Sequence, residues 1–365
     1  MADRIRIGVV GAHAEHGWAR NVHLPALKAL EQEYEIAAVA STSLAGAQAA
    51  ARLWGAADSY DDPAELFARP DLDLVTIAVQ LPRRDGLVEA AIAAGKHVYS
   101  EWPLALDAPT AARYRDKAAA AGVRSAVGLQ SRHHPAIRFL HDLIAEGRLG
   151  ELLSASLTYT LSTPDSWPQR YAALFDKTKG VNHLAIVGGH SMDLFRYAVG
   201  EFTELSATLS TRISRVPIIE TGEQAEVTSP DQIVVNGLLD SGAAASVHIV
   251  TGGPRGEGYR IEVHGRAGRV VVRSADDSLV GPEFGVFFGS GTGELTALPV
   301  PERYFAGLPD APVAVRNVHQ VYTGLARVIR EGGSFQPDFD TALSLHRVLD
   351  AIRASAESGV RQQLG

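Results

Sequence analysis

Arg4-Ile5-Arg6-Ile7-Gly8-Val9-Val10-Gly11-Ala12-His13-Ala14-Glu15-His16-Gly17 is the stretch on which the fold turns. Its first half is a short apolar run ending in glycine, the pattern of a parallel strand buried on both faces. A polar turn follows. Leu24 to Leu30 then reads as a short helix opened by Pro25, a residue suited to a first helical turn. Strand, tight turn and helix in that order can cradle a diphosphate, because backbone N–H groups and a helix N-terminus converge there. The spacing departs from the strict glycine pattern. Counted from Gly11, the second and third glycine positions hold His13 and His16, and Gly17 comes one place late. The stretch therefore has two readings. In one, Gly11, Ala12, His13, His16, Gly17 and Trp18 hold a dinucleotide. In the other, the turn only packs helix on strand.

Outward from this turn the alternation continues. Strands are expected over Glu35–Ala40, Leu72–Val79, Lys96–Ser100 and Val123–Leu129. Helices are expected over Leu44–Trp54, Pro63–Phe67, Arg84–Ala94 and Thr110–Ala121, the last two ended by Gly95 and Gly122. Strands separated by helices imply crossover connections and a parallel sheet. After the second strand stands Ser41-Thr42-Ser43, where an NAD-selective site offers a carboxylate to the ribose. Three hydroxyls and no acid remove the repulsion that a 2′-phosphate would meet. NADP(H) is the expected cofactor and NAD(H) the alternative. The same residues also read as a cap for the next helix.

Beyond residue 130 the pattern changes. Leu152–Ser162, Ile233–Leu239 and Ala245–Val250 alternate apolar and polar residues, with Asp240-Ser241-Gly242 as a hairpin turn. Tyr259–His264 and Arg269–Arg273 flank a second turn, Gly265-Arg266-Ala267-Gly268. Helical spacing marks His190–Val199, Val315–Ile329 and Ala342–Ala356. The expectation is an α/β protein: a Rossmann domain over 1–130, then an α+β domain over 131–365 with an open, largely antiparallel sheet.

Composition narrows the function classes. The chain has 365 residues, 46% hydrophobic and 21% charged, as in an ordinary globular protein of two domains. A net charge of −8 offers no basic footprint, so no nucleic-acid partner is expected. No apolar run is long enough for a membrane helix, so no membrane partner is expected. The start of the chain has no signal-peptide layout, and a cytoplasmic location is expected. With no cysteine there is no disulfide, thiolate metal site or cysteine nucleophile. His133-His134 resembles a short metal cluster without an evident third ligand, so no metal is expected.

Ala91-Ile92-Ala93-Ala94-Gly95-Lys96-His97-Val98-Tyr99-Ser100-Glu101-Trp102-Pro103-Leu104 resembles the signature of the glucose–fructose oxidoreductase, inositol dehydrogenase and rhizopine-catabolism (Gfo/Idh/MocA) family. So do the glycine turn, Gly147-Arg148-Leu149-Gly150, Gly189-His190-Ser191-Met192-Asp193 and the His264–Gly268 hairpin. Gly17-Trp18-Ala19, His23-Leu24-Pro25-Ala26, Ala78-Val79-Gln80, Glu101-Trp102 and Gly128-Leu129-Gln130-Ser131-Arg132 narrow the likeness. They are similar to the branch containing a fungal galactose-regulon repressor, a dinucleotide-binding regulator without known turnover. The resemblance implies a nicotinamide between two domains, with Gln80, Glu101, Trp102, Pro103 and Gln130 on the cofactor side. It also implies a homodimer or homotetramer formed through the second sheet.

This sequence departs from the family where protons move. The usual lysine after the strand-end glutamate is Trp102 here, and the usual aspartate four residues before His190 is Ile186. General acid–base help is worth roughly 10²–10⁴-fold, so the loss is serious. Only five lysines exist, and of these Lys177 and Lys179 lie in a loop preceding His190; Lys179 is carried as the candidate replacement. His190 is the expected proton carrier, with Asp193 one helical turn on to orient it. The other candidate substrate contacts are Arg132, Tyr159, Asn182, His183 and Trp102, whose indole can stack on a nicotinamide or a sugar face. The expected activity is an NADP(H)-dependent oxidation or reduction of a sugar, cyclitol or related small molecule. A non-catalytic dinucleotide sensor is the rival reading.

Overall fold

The computed structural model describes residues 4–84, 86–162, 166–253 and 255–364. The chain divides into two compact units, Met1–Gln130 with Leu308–Ser344, and Ser131–Gly307 with Leu345–Gly365.

The first unit opens with β1 (Ile5–Val10), α1 (Leu24–Lys28), β2 (Tyr34–Ala40), α2 (Leu44–Trp54), β3 (Asp58–Tyr60) and α3 (Pro63–Phe67). It continues with β4 (Leu74–Ile77), α4 (Leu87–Ala93), β5 (His97–Ser100), α5 (Ala108–Ala121) and β6 (Ser125–Val127). The six strands are parallel and lie in the order β3-β2-β1-β4-β5-β6, that of the doubly wound dinucleotide fold. Local signals set the helix ends. Ser43, Asp62 and Asp107 side chains accept from the first-turn amides of α2, α3 and α5, and Gly55 and Gly122 close α2 and α5 in the left-handed region. One expectation shifts. A π-turn over Ala19–His23 runs straight into α1, so helical structure begins five residues before Leu24.

The second unit holds α6 (Pro135–Ala145), β7 (Leu152–Ser162), α7 (Gly189–Val199), β8 (Phe202–Ser210), β9 (Arg215–Pro217), β10 (Gln224–Glu226), β11 (Gln232–Leu239) and β12 (Ala244–Gly253). Then come β13 (Gly258–Gly265), β14 (Gly268–Ser274), β15 (Phe284–Ser290) and β16 (Thr296–Ala297). With the terminal β17 (Gln362–Gln363) they form a nine-stranded sheet ordered β16-β15-β14-β13-β7-β12-β11-β8-β17, while β9 and β10 pair apart. Among the described residues, β7 and β12 are the one pair that runs parallel within the large sheet. The alternation in β7, β11 and β12 buries one side chain in two, with Leu157, Val235, Val247 and Ile249 on the covered face.

The expected continuous second domain over 131–365 is corrected by two helices. α8 (Val313–Glu331) belongs to the first unit, and α9 (Phe339–Ser358) starts there and passes to the second at Leu345. The reason is burial. Val315, Val318, Tyr322 and Leu325 form one stripe of α8, and they join a core with Ile7, Val22, Leu24, Tyr34 and Tyr99. Among the described residues no helix is long and apolar enough to cross a membrane.

Candidate functional site

β1 and β4 are neighbours, and their helices go to opposite sides, so a crevice opens past their carboxyl ends. Gly11 stands at its base with φ +92°. A Cβ there would lie 2.7 Å from Ala78 O and 2.8 Å from Val79 Cγ1, so both conformation and space demand glycine. The Gly11 and Ala12 amides donate to Ala40 O at 2.9 and 3.1 Å, so they are spent on the sheet edge rather than on an anion. Arg20 Nε donates to Ala14 O at 2.7 Å and pins the turn. The His13 and His16 rings lie 3.8 Å apart, and His13 Nδ1 accepts from Glu15 N.

A cleft of about 340 Å³ lies over this turn. Its lining includes Gly11, His13, His16, Gly17, Ser41, Thr42 and Gln80, all expected cofactor residues, and adds Asp61 and Arg83. Ala12, Trp18, Glu101, Trp102, Pro103 and Gln130 do not line it. Ala12 is fully buried and Trp18 packs on the core. Ser43 is the residue that caps α2, which leaves Ser41 and Thr42 to face the cleft.

The end of β5 is held separately. Ile77 and Ser100 are register partners, so Ala78–Gln80 and Glu101–Pro103 leave the sheet side by side. The buried Arg84 guanidinium ties them together: it donates to Val79 O at 2.7 Å and to the carbonyls of Glu101 and Pro103. Burial pushes its pKa down to about 10, against the pull of Glu101. His23 Nε2 meets Glu101 Oε1 at 2.8 Å. Trp102 is buried, and its peptide bond to Pro103 is cis. Gln130 is also buried, and among the described residues neither end of its amide has a hydrogen-bond partner. Such an amide is costly without a partner, and a ligand amide would satisfy it. A glycine cradle, a cleft lined by hydroxyls and imidazoles, and a buried unsatisfied amide fit a dinucleotide.

In the second unit several expected residues have other duties. His190 is buried in the first turn of α7. The sequence spacing assigns Asp193 to orient it. Instead its two oxygens receive the Arg132 guanidinium, with Nε–Oδ2 at 3.1 Å and Nη2 bound to Oδ1, both groups buried. Arg132 also lies over the Tyr197 ring. Asn182 staples its own loop: its amide nitrogen donates to Lys177 O and Lys179 O, and its oxygen accepts from Ala185 N, all at 2.9 Å. Tyr159 is fully buried, stacked 3.9 Å from Tyr259, and donates to Asp277 O at 2.7 Å. Both side chains spend these bonds on the framework of their own unit. His183 is buried beside Thr251 Oγ1, and burial lowers its pKa. Lys179 is exposed on its loop. Among the described residues no group of three or more His, Asp or Glu could hold a metal.

Sequence reasoning missed Arg84, Tyr322 and the duty of His23. His23 and Tyr322 are 299 positions apart, and Arg84 is spent on backbone carbonyls; no local pattern reports either kind of contact.

Residues 5–129 match the family model described as "Oxidoreductase family, NAD-binding Rossmann fold". Residues 135–274 match "Gal80p, C-terminal domain". Dehydrogenase aclE of Aspergillus oryzae is 35% identical over 251 residues, covering 66% of this chain and 68% of that protein. Levoglucosan dehydrogenase of Pseudarthrobacter phenanthrenivorans is 27% identical over 336 residues, 84% of each. An NAD binding oxidoreductase from Klebsiella pneumoniae superposes with a TM-score of 0.87 at 25% identity, over 100% of both chains.

Proposed function

The chain belongs to the Gfo/Idh/MocA oxidoreductase family, and on that premise we propose that it is an NADP(H)-dependent oxidoreductase of a sugar, cyclitol or related carbonyl or hydroxyl compound. The observation that carries the reading is the Gly11 turn at the β1/β4 crevice, with its cleft and no room for a Cβ. The nicotinamide, when bound, supplies or accepts the hydride. His13, His16 and Gly17 would hold the diphosphate. Ser41 and Thr42 would receive the ribose end, where the absence of an acid after β2 and the presence of Arg83 favour NADP(H); Asp61 in the same lining limits that preference. Gln80, Glu101, Pro103 and the Gln130 amide would hold the nicotinamide end.

For the proton, His190 remains the proposed carrier. Asp193 is a partner of Arg132 and fixes that guanidinium. Lys179, exposed with Lys177 on the loop before α7, is the lysine proposed to approach a substrate. The substrate class draws support from the levoglucosan dehydrogenase likeness. We also propose self-association through the uncovered sheet face, where Val234 and Leu238 are exposed, 36% and 40%.

A second reading has its own support. The match of residues 135–274 to the Gal80p C-terminal domain, with Trp102 and Ile186 in place of proton-bearing groups, favours a dinucleotide-binding regulator without turnover. A redox screen separates the two. Purified protein with NADP⁺ or NADPH and a panel of sugars, cyclitols and their ketones should change the reduced-nicotinamide absorbance with at least one compound. Tight dinucleotide binding with no turnover anywhere on the panel would support the regulator and overturn the enzyme.

A further inference from the structure

The end of β5 is wired into the core of the first unit by a chain of buried polar groups that the reading above does not use. His23 sits in the π-turn before α1 and has no exposed surface. Its Nε2 lies 2.8 Å from Glu101 Oε1, and its Nδ1 lies 2.8 Å from the Tyr322 hydroxyl. That hydroxyl is 2.8 Å from Thr76 Oγ1 on β4. Tyr322 and Thr76 are also fully buried. The backbone of Tyr322 is held in turn by Tyr34, whose hydroxyl donates to Tyr322 O at 2.8 Å. The Tyr99 ring meets the imidazole edge-on at 5.0 Å. At the other end, a Cβ on Gly128 would fall 2.6 Å from both Glu101 oxygens, so the carboxylate lies directly over a bare Cα. Glu101 is therefore fixed three ways: its carbonyl by Arg84, its carboxylate by His23, its seat by Gly128.

The chain Thr76–Tyr322–His23–Glu101 ends inside the core. Glu101 is partly exposed, but the Thr76 end is closed to water, so the chain has no proton source behind it and its effect is to hold an orientation. An ionised carboxylate can only accept, so Nε2 serves it by carrying a proton. We propose that His23 is a positioning residue that, with Tyr322 behind it, holds the ionised Glu101 carboxylate at the nicotinamide end and thereby favours the oxidised, cationic cofactor over the reduced, neutral one. The preference for one cofactor form rests on the dinucleotide reading above; the orientation of Glu101 does not. Trp102 beside Glu101 carries no charge to oppose the effect. Arg84 does carry one; its guanidinium is spent on three backbone carbonyls, so it reduces the carboxylate's field without removing it.

Two measurements test this. In the free protein, ¹⁵N spectra of labelled histidine, assigned with His23→Gln, should show His23 Nε2 protonated; an unprotonated Nε2 would overturn the proposal without any cofactor. Calorimetry with NADP⁺, NADPH and 2′-phospho-ADP-ribose then reads the consequence. Glu101→Gln should lower the NADP⁺-to-NADPH affinity ratio roughly three- to tenfold. His23→Leu should lower it in part, and His23→Gln, whose amide can still donate to the carboxylate, should restore it. Tyr322→Phe keeps the ring and removes only the hydroxyl, so it carries the test if His23→Leu does not fold. An unchanged ratio in Glu101→Gln and in the His23 or Tyr322 variant, with 2′-phospho-ADP-ribose still bound, would overturn the proposal. If the wild-type protein binds none of the three ligands, the dinucleotide reading and the cofactor preference both fall, and the spectra alone decide the orientation of Glu101.

Discussion

Ser41 shows how much one side chain decides at this site. It follows β2, and with Thr42, Asp61 and Arg83 it lines the cleft that would take the ribose. Ser41→Asp would place a second carboxylate beside Asp61, where a 2′-phosphate meets repulsion and a ribose hydroxyl gains an acceptor. The ratio of NADP(H) to NAD(H) affinity should fall about tenfold in that variant, measured by titration. An unchanged ratio would contradict the assignment of this end of the cleft. Single residues were legible in the sequence where backbone geometry marks them: Gly11 could be read because only glycine fits a positive φ under the Ala78 carbonyl. Asn182 and Tyr159 could not, because residue type announces hydrogen-bonding capacity and not how it is spent. Asn182 spends it on Lys177, Lys179 and Ala185, and Tyr159 on Asp277.

Among elements, α7 depends on an ion pair that bridges it to the turn before α6. Arg132 and Asp193 are both buried, and their side chains are 7% and 2% exposed. A buried pair adds little over an apolar pair, but removing one partner leaves the other charge stranded. Asp193→Asn should therefore cost about 3–5 kcal/mol, read as a lower urea midpoint, and a double variant that also carries Arg132→Met should recover part of the loss. A single variant within about 0.5 kcal/mol of wild type would show that the pair is not what anchors α7. The strands and most helices were legible because their apolar periods are local. The placement of α8 was not. The stripe Val315, Val318, Tyr322, Leu325 shows that one face is buried, and nothing in it says that the face packs on strands some 300 residues earlier. The same distance hid the contact between Tyr322 and His23.

Among the described residues, burial lowers the pKa values of His97, His183 and His319 from the ordinary 6.5. The unfolded chain therefore takes up these protons first as the pH falls. Their contribution to stability is complete above about pH 6.5 and is lost as the pH drops toward the folded values. The urea midpoint should decline as the pH falls from about 6.5 to 5.5, before ordinary carboxylates titrate. His183→Gln should flatten that decline; a decline unchanged in the variant would remove His183 from the account. The central claim concerns the first unit as a whole: its six parallel strands and the Gly11 turn form a pyridine-dinucleotide site. Isothermal titration of the wild-type protein with NADP⁺, NADPH, NAD⁺ and NADH tests it most directly. Saturable binding of at least one of them, tighter for the phosphorylated pair, is the expected result; no binding of any of the four would contradict the account.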